Sequence, residues 1–402
     1  MIRDFIVDLY GETIYNALAY FFSFYPLWLP ITLGIVFWEL WLRYIRHLFF
    51  SKTQTTLLEI KMPRDITKSP VAMEIALTAL HQLGGEGTFI DRYWEGKVRA
   101  WFSLEIISIG GDVRFLIWTR TNMRNSIESQ LYSQYPTIEI REVEDYTMPF
   151  SYKPDGDIDV WGTHFILANK DAYPIKTYVD YGLDKDPKEE FKNDPITSVL
   201  EYLGSLKEGE QAWVQIVVRA HKKEKRGGIF SSASDWREPA QQEIKDIQAK
   251  IKAEMRNVPT EGEREKISGI ERSMGKFPFD TGIRVVYVAP RDVFSQSSIN
   301  GLRGIFRPFN SNNLNGFKLD NSTNFDYPWQ DLNGVRMNRK KRKMLDAYKR
   351  RMFFYAPHRF KPFILTNEEL ATMYHFPGQV AAVPGLTRIP SKKAQPPQNL
   401  PM

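Results

Sequence analysis

The densest run of reactive side chains lies in residues 336–351, where Arg339, Lys340, Lys341, Arg342, Lys343, Lys349, Arg350 and Arg351 alternate with an apolar stripe of Met344, Leu345, Tyr348, Met352 and Phe353. Cations on one side of a helix and apolar residues on the other make a basic amphipathic helix. Such a helix can lie on anionic lipid, meet phosphates or an acidic protein, or simply pack its apolar face and leave its charges in water. The packed helix is the plainest reading. The residue types alone do not choose between lipid, protein and nucleic acid as the anionic partner.

Elsewhere the titratable residues carry no spacing that announces a reaction. The glycine pairs Gly84-Gly85, Gly110-Gly111 and Gly227-Gly228 lack the following lysine and hydroxyl that reach nucleotide phosphates and Mg²⁺. His47, His81, His164, His221, His358 and His375 are scattered without a metal-binding interval, and surface positions are expected for His81 and His221. Asp155, Asp157 and Asp159 imitate the start of a calcium loop but lack its closing glutamate, and they, like Glu142 and Glu144, read as solvated loop charges. There is no nucleophile elbow. No catalytic residue, cofactor site or metal ligand is assigned, and the chain is expected not to be an enzyme. With no cysteine in the sequence, disulfides and thiolate metal sites are excluded.

The carboxyl end holds a different kind of signal. Thr366 followed three residues later by Glu369 is a capping box for a short helix over 367–374, and Phe376-Pro-Gly378 ends it. Beyond Pro384 the chain is proline-rich and basic, the composition of an extended linker. The run Phe363-Ile-Leu-Thr-Asn-Glu-Glu-Leu-Ala-Thr-Met-Tyr-His-Phe-Pro-Gly378, with Val383-Pro-Gly385 and the tail to Pro401, resembles the approach to the motor domain of large bacterial membrane ATPases related to type IV secretion and conjugation coupling proteins. Leu58-Glu-Ile-Lys-Met-Pro63 and Lys68-Ser-Pro-Val-Ala-Met-Glu74 resemble the membrane-proximal region of the same proteins, a type best known in candidate-phyla bacteria. The resemblance implies that Leu365, Glu368, Glu369, Leu370, Tyr374, His375, Phe376, Pro377 and Gly378 form a junction to a phosphate-loop ATPase. It further implies a homo-oligomer, by analogy with ring-forming relatives. The sequence stops at Met402, where such a motor would begin, so the expectation is a motor encoded separately or a chain that is a fragment of a longer product.

These segments need a scaffold and a location. A charge-free run from Thr13 to Trp38, followed by Arg43, Arg46, His47 and Lys52, predicts a membrane anchor. Pro26 and Pro30 place the start of a spanning helix near Leu27, and its end near Leu48. Residues 2–25 are then a separate interfacial helix, and Trp28, Trp38, Trp41 and Tyr44 form an aromatic belt. Acidic residues at the amino end and the lack of a small-residue cleavage site favour a retained anchor over a cleaved signal. The basic flank puts the bulk of the chain on the cytoplasmic side of the inner membrane. The net charge of +6 is too modest to decide a partner.

The remaining organisation is α+β. A strand near 55–62, a helix opened by Ser69-Pro70, strands over 100–109 and 112–119 joined at Gly110-Gly111, a helix over 123–135 and a strand over 137–143 give the order β-α-β-β-α-β, the split βαβ of ferredoxin-like folds. Strands near 162–167, 212–219, 282–289 and 316–319, with helices over 195–206 and 296–306, repeat that order. The expected domains are an anchor over 1–52, ferredoxin-like modules over 53–150 and 151–330, the basic helix and junction over 331–378, and a linker over 379–402. The second module carries a charged helical insertion over 222–275, expected as an exposed arm. Trp101, Phe115 and Trp118 read as core rather than as RNA-stacking residues, since the RNP1 pattern is missing.

Together these readings predict a membrane-anchored, non-catalytic assembly or docking subunit paired with a separate phosphate-loop ATPase. The contrasting expectation is a membrane-tethered nucleic-acid binder that uses the helix 336–351.

Overall fold

The computed structural model describes residues 11, 16, 20, 22–63, 68–82, 84–185, 193–222, 224–225, 233–254, 256, 258–325, 327–378, 385–386 and 388. The expected interfacial helix over 2–25 and the linker over 379–402 lie almost entirely outside these residues, as does part of the insertion. The described helices are α1 (Tyr25–Lys52), α2 (Val71–Ala79), α3 (Phe89–Tyr93), α4 (Arg124–Gln134), α5 (Pro195–Gly204), α6 (Arg237–Ala253), α7 (Glu261–Met274), α8 (Gln296–Arg303), α9 (Val335–Lys349) and α10 (Asn367–Met373). The strands are β1 (Thr55–Lys61), β2 (Phe102–Ile109), β3 (Asp112–Arg120), β4 (Glu139–Val143), β5 (Ile158–Leu167), β6 (Gln211–Ala220), β7 (Glu224–Lys225), β8 (Ala233–Ser234), β9 (Pro278–Pro290), β10 (Phe317–Asp320) and β11 (Phe363–Thr366). They fall into two units, one of residues 1–53 with 84–99 and one of residues 54–83 with 100–402.

The smaller unit is built on α1. Pro26 sits in the first turn, where a missing N–H costs nothing, and Pro30 is carried inside the helix. The helix is apolar and long enough to cross a membrane. It is exposed from Phe22 to Leu40 apart from half-buried Trp28, whereas Ile45 is buried, so the packed end begins within the span expected over 27–48. What covers that end is the segment 84–99. Trp41 Nε1 donates to the Tyr93 carbonyl at 2.9 Å, and a Cβ on Gly96 would stand 2.6 Å from the Ile45 carbonyl.

The larger unit is organised by a nine-stranded sheet in the order β10-β5-β9-β6-β2-β3-β1-β4, with β11 also pairing β9. All the pairings within it are antiparallel. The turn between β2 and β3 uses Gly110 and Gly111, both at positive φ, as the dipeptide predicts. At the centre, β2 and β6 pair from Phe102 opposite Val218 to Ile109 opposite Gln211.

Strand side chains alternate between faces. One face presents Leu58, Ile60, Leu104, Ile106, Phe115, Ile117, Val214, Ile216, Ile283 and Tyr287 to the core, shared with buried residues of α2, α4, α5, α8 and α10. The opposite face lies under α9, whose Met344 packs on Gly162 of β5 so closely that a Cβ there would approach to 2.6 Å. Trp101, Phe115 and Trp118 are all buried, consistent with a core role. The insertion is largely exposed, as expected, but packs one face on the body of the unit. Helices α6 and α7 form a hairpin that buries Ala240, Ile244 and Ile270 with Ala172.

Candidate functional site: a basic helix over a buried polar row

Helix α9 begins after Gly334, which takes a left-handed φ of 67 that favours glycine. The Asp331 carboxylate accepts from the backbone N–H groups of Arg336 at 3.2 Å and Met337 at 2.6 Å, satisfying orphan donors of the first turn. The predicted apolar stripe is real: Met344, Leu345 and Tyr348 are buried.

The eight expected anion-binding cations divide. Arg339, Arg342, Lys343 and Arg350 are exposed, and Arg350 is paired with Asp346 at 2.9 Å. Lys340 donates to the Ser322 carbonyl and Lys349 to the carbonyl of Phe150. Lys341 and Arg351 correct the prediction. Lys341 is buried against Asp159 at 2.5 Å, and Arg351 is 1% exposed and holds Glu105 and Asp145. A cation taken out of water must be paired, so neither is available to an outside anion. Asp159, expected as a solvated loop charge, is the partner of Lys341.

Beneath this helix lies a site that the sequence reading missed. Glu105, Gln215, Arg284 and His164 stand in register on adjacent strands β2, β6, β9 and β5, forming one polar row across the buried face. Glu105 accepts from Ser103 Oγ at 2.6 Å, Gln215 Nε2 at 2.7 Å, Tyr146 OH at 2.8 Å and Arg351 Nε at 3.1 Å. Arg284 donates to the Met352 carbonyl at 2.6 Å, while its Nε and Nη1 have no hydrogen-bond partner. Burial pushes its pKa down to about 9. His164 is held at about 3 by burial and then by the Arg284 charge, so its imidazole is neutral at physiological pH. Phe360 covers His164 with ring centres 4.3 Å apart.

Beside His164 a cleft of about 930 Å³ is lined by Phe353, Phe360, Lys318, Asp320 and Lys361. A neutral imidazole can exchange one hydrogen bond there. Glu105 of the row and the neighbouring Asp145 are both occupied by Arg351. Among the described residues, no group of three His, Asp or Glu could hold a metal ion. The signal that could have found the row is one polar residue set among apolar neighbours in each strand: Glu105, Gln215, Arg284 and His164.

The junction residues are placed differently from the expectation. Strand β11 pairs with residues 278–281 of β9, and Leu365 to Pro377 are buried, with Gly378 half-buried. Thr366 and Glu369 make the capping box, and Glu369 also accepts from the Ile175 N–H at 2.9 Å. Glu368 accepts from Thr177 Oγ1 and pairs with Arg272 and Lys276 of the insertion and its exit. Tyr374 OH donates to the Leu116 carbonyl, and His375 Nε2 lies 2.9 Å from Asp194. Phe376 packs edge-on against Tyr135 and Phe115, and Leu370 is fully buried. These side chains build the core and cannot themselves meet a separate motor. Three other histidines are also engaged: His81 with the Pro278 carbonyl, His221 with Asp280, and His358 with Asp346.

After this segment the chain returns to the sheet at Leu386, bridged to Val113, where the Val113 N–H donates to the Gly385 carbonyl at 2.7 Å. A family model described as a domain of unknown function, DUF8128, matches residues 46–386. The chain belongs to this family. No curated protein matches it. The DUF8128 match ends at that last bridge to the sheet and begins in the packed end of α1, so it takes in the segment 84–99 but not the exposed apolar stretch 22–40. The polar row, the basic helix and the buried junction all lie inside the DUF8128 domain.

Proposed function

We propose that this DUF8128 protein is the membrane-anchored, non-catalytic assembly or docking part of a type IV secretion or conjugation-like machine that works with a separate phosphate-loop ATPase. The observation that carries the reading is the burial of 365–377 in the sheet core. A segment resembling a motor lead-in is thereby built into the sheet, and the chain is held to it as far as Leu386 by the Val113 bridge. A fixed exit suits a hand-over to another polypeptide.

Three further observations support the reading. The exposed stretch from Phe22 to Leu40 is about 28 Å long at 1.5 Å per residue, close to the thickness of a hydrocarbon core. Arg43, Arg46, His47 and Lys52 follow it, which favours a cytoplasmic side for the rest of the inner-membrane protein. The sheet order supports two ferredoxin-like modules, β4-β1-β3-β2 and β10-β5-β9-β6, joined where β2 meets β6.

The test is purification of the full-length protein from native membranes in mild detergent, with mass spectrometry of what accompanies it. A truncation at Leu365 would remove a strand and buried core, so the informative variant ends after Arg388. A phosphate-loop ATPase in near-stoichiometric amount with the full chain, and lost from that variant, is the expected result. Recovery of the chain alone, or only with nucleic acid that nuclease and salt remove, would overturn the docking role.

A further inference from the structure

Resting on the anchor assigned above, we propose that residues 84–99 are a second membrane contact, with helix α3 lying in the lipid interface beside the base of α1. Its apolar residues point outward without protein cover: Phe89 is 67% exposed, Ile90 61% and Trp94 69%. Large apolar and aromatic side chains held together in this way mark an interaction surface.

The occupant follows from where the surface is fixed. Trp38 lies 5.5 Å from Tyr93, its ring tilted against it, Trp41 lies 5.5 Å from Trp94, and Trp41 Nε1 donates to the Tyr93 carbonyl. These contacts attach α3 to α1 at the point where the fully exposed stretch ends, which is the level of the headgroups if that stretch fills the hydrocarbon core. Tryptophan and tyrosine concentrate at that level because one end of the ring system is apolar and the other hydrogen-bonds.

The polar half of the segment is satisfied within itself. Asp91 pairs with Lys97 at 2.8 Å and caps the helix with Thr88, and Glu86 pairs with Arg92 at 3.3 Å. Gly96, at φ 67, gives the backbone its close approach to Ile45. The loop is therefore rigid, internally paired in its charges, and apolar on one outward side. That combination fits an interfacial helix better than a protein groove, because the apolar surface is continuous with that of a helix long enough to cross the bilayer.

The sequence has no cysteine, so single cysteines can report depth. The full-length protein would carry Leu33→Cys, Ile90→Cys or Gln241→Cys, each labelled with an environment-sensitive fluorophore and reconstituted into phosphatidylcholine–phosphatidylglycerol vesicles with or without nitroxide lipids. The expected result is strong quenching by deep nitroxides at residue 33, quenching by shallow nitroxides with a blue-shifted emission at residue 90, and neither at residue 241. A quenched residue 33 with an unquenched residue 90 overturns the interfacial loop and leaves the anchor standing. An unquenched residue 33 overturns both. A blue-shifted but unquenched residue 90 means that protein covers the loop, and also overturns the proposal.

Discussion

At the scale of single residues, the most exacting position is Arg351. Its backbone takes a left-handed φ of 50, a conformation that costs a non-glycine residue roughly 1–2 kcal/mol, and its buried guanidinium binds Glu105 and Asp145. Removing one partner of a buried ion pair leaves the other uncompensated. Arg351→Ala should therefore lower unfolding free energy by about 3–5 kcal/mol, read from urea denaturation of the detergent-solubilised protein. Arg342→Ala, on the same helix but exposed, should change it by less than about 0.5 kcal/mol. Glu369 and His375 set a pH dependence. Burial raises Glu369 to about 7, against its backbone and Thr366 hydrogen bonds. The folded state therefore holds a proton that the unfolded chain gives up near 4.5, and stability falls as pH rises from there to about 7. For His375, burial lowers the pKa, but Asp194 and two backbone carbonyls outweigh it and the net shift is upward. Its contribution is full below about 6.5, the ordinary histidine value, and is lost as pH rises through the higher folded value. The two slopes share a sign. Below about 6.5 the buried neutral His164, held at about 3, opposes them, since its contribution rises with pH up to the ordinary histidine value. The melting temperature should therefore fall between about pH 6.5 and 8, with Glu369→Gln flattening the start of that fall and His375→Gln the remainder.

At the scale of elements, α9 decides how much anion the protein can hold. With Lys341 and Arg351 buried, Arg336, Lys340 and Lys349 bonded to carbonyls and Arg350 paired, Arg339, Arg342 and Lys343 are the cations of the helix with neither a buried nor a paired role among the described residues. DNA binding through this face should therefore show a log–log salt slope no steeper than about −3, and the triple change of Arg339, Arg342 and Lys343 to Gln should remove it without moving the melting temperature. A slope near −8 in fluorescence anisotropy would mean that the buried cations are reached after all. The basic amphipathic character of this helix was legible in the sequence, because apolar residues at helical spacing announce a packed face. Which cations would be buried was not, since Asp159, Glu105 and Asp145 are far away in the chain and meet the helix only through the sheet.

At the scale of the whole molecule, the β2–β6 seam makes the two halves of the sheet one continuous hydrogen-bonded structure, with Leu104, Ile106, Val214 and Ile216 sharing a core. Strands in such a seam open only when the sheet opens. Hydrogen exchange should find the amides of residues 104–107 and 213–217 among the slowest in the protein, with equal protection on both sides. Faster exchange on one side would mean that the halves unfold separately. The buried segment 365–377 joins the same cooperative core, so a chain ending before Leu365 should fail to accumulate, while one ending after Arg388 should melt like the full chain.

Local chemistry was enough for most of the elements, though not for α3 or β11, to which the sequence assigned no helix or strand. The apolar run after Tyr25, the Gly110-Gly111 turn, the Thr366–Glu369 capping box and the alternating strands follow from hydropathy, backbone freedom and hydrogen-bonding groups close together in the chain, and those act over a few residues. Tertiary structure alone decided that Glu105, Gln215, Arg284 and His164 form a single row, that Leu365 to Pro377 are core rather than a free junction, and that residues 84–99 cover the end of α1. Each of these joins residues tens to hundreds of positions apart. Their partners are chosen by strand register and by the cost of burying an unpaired charge, quantities that exist only once the sheet has formed.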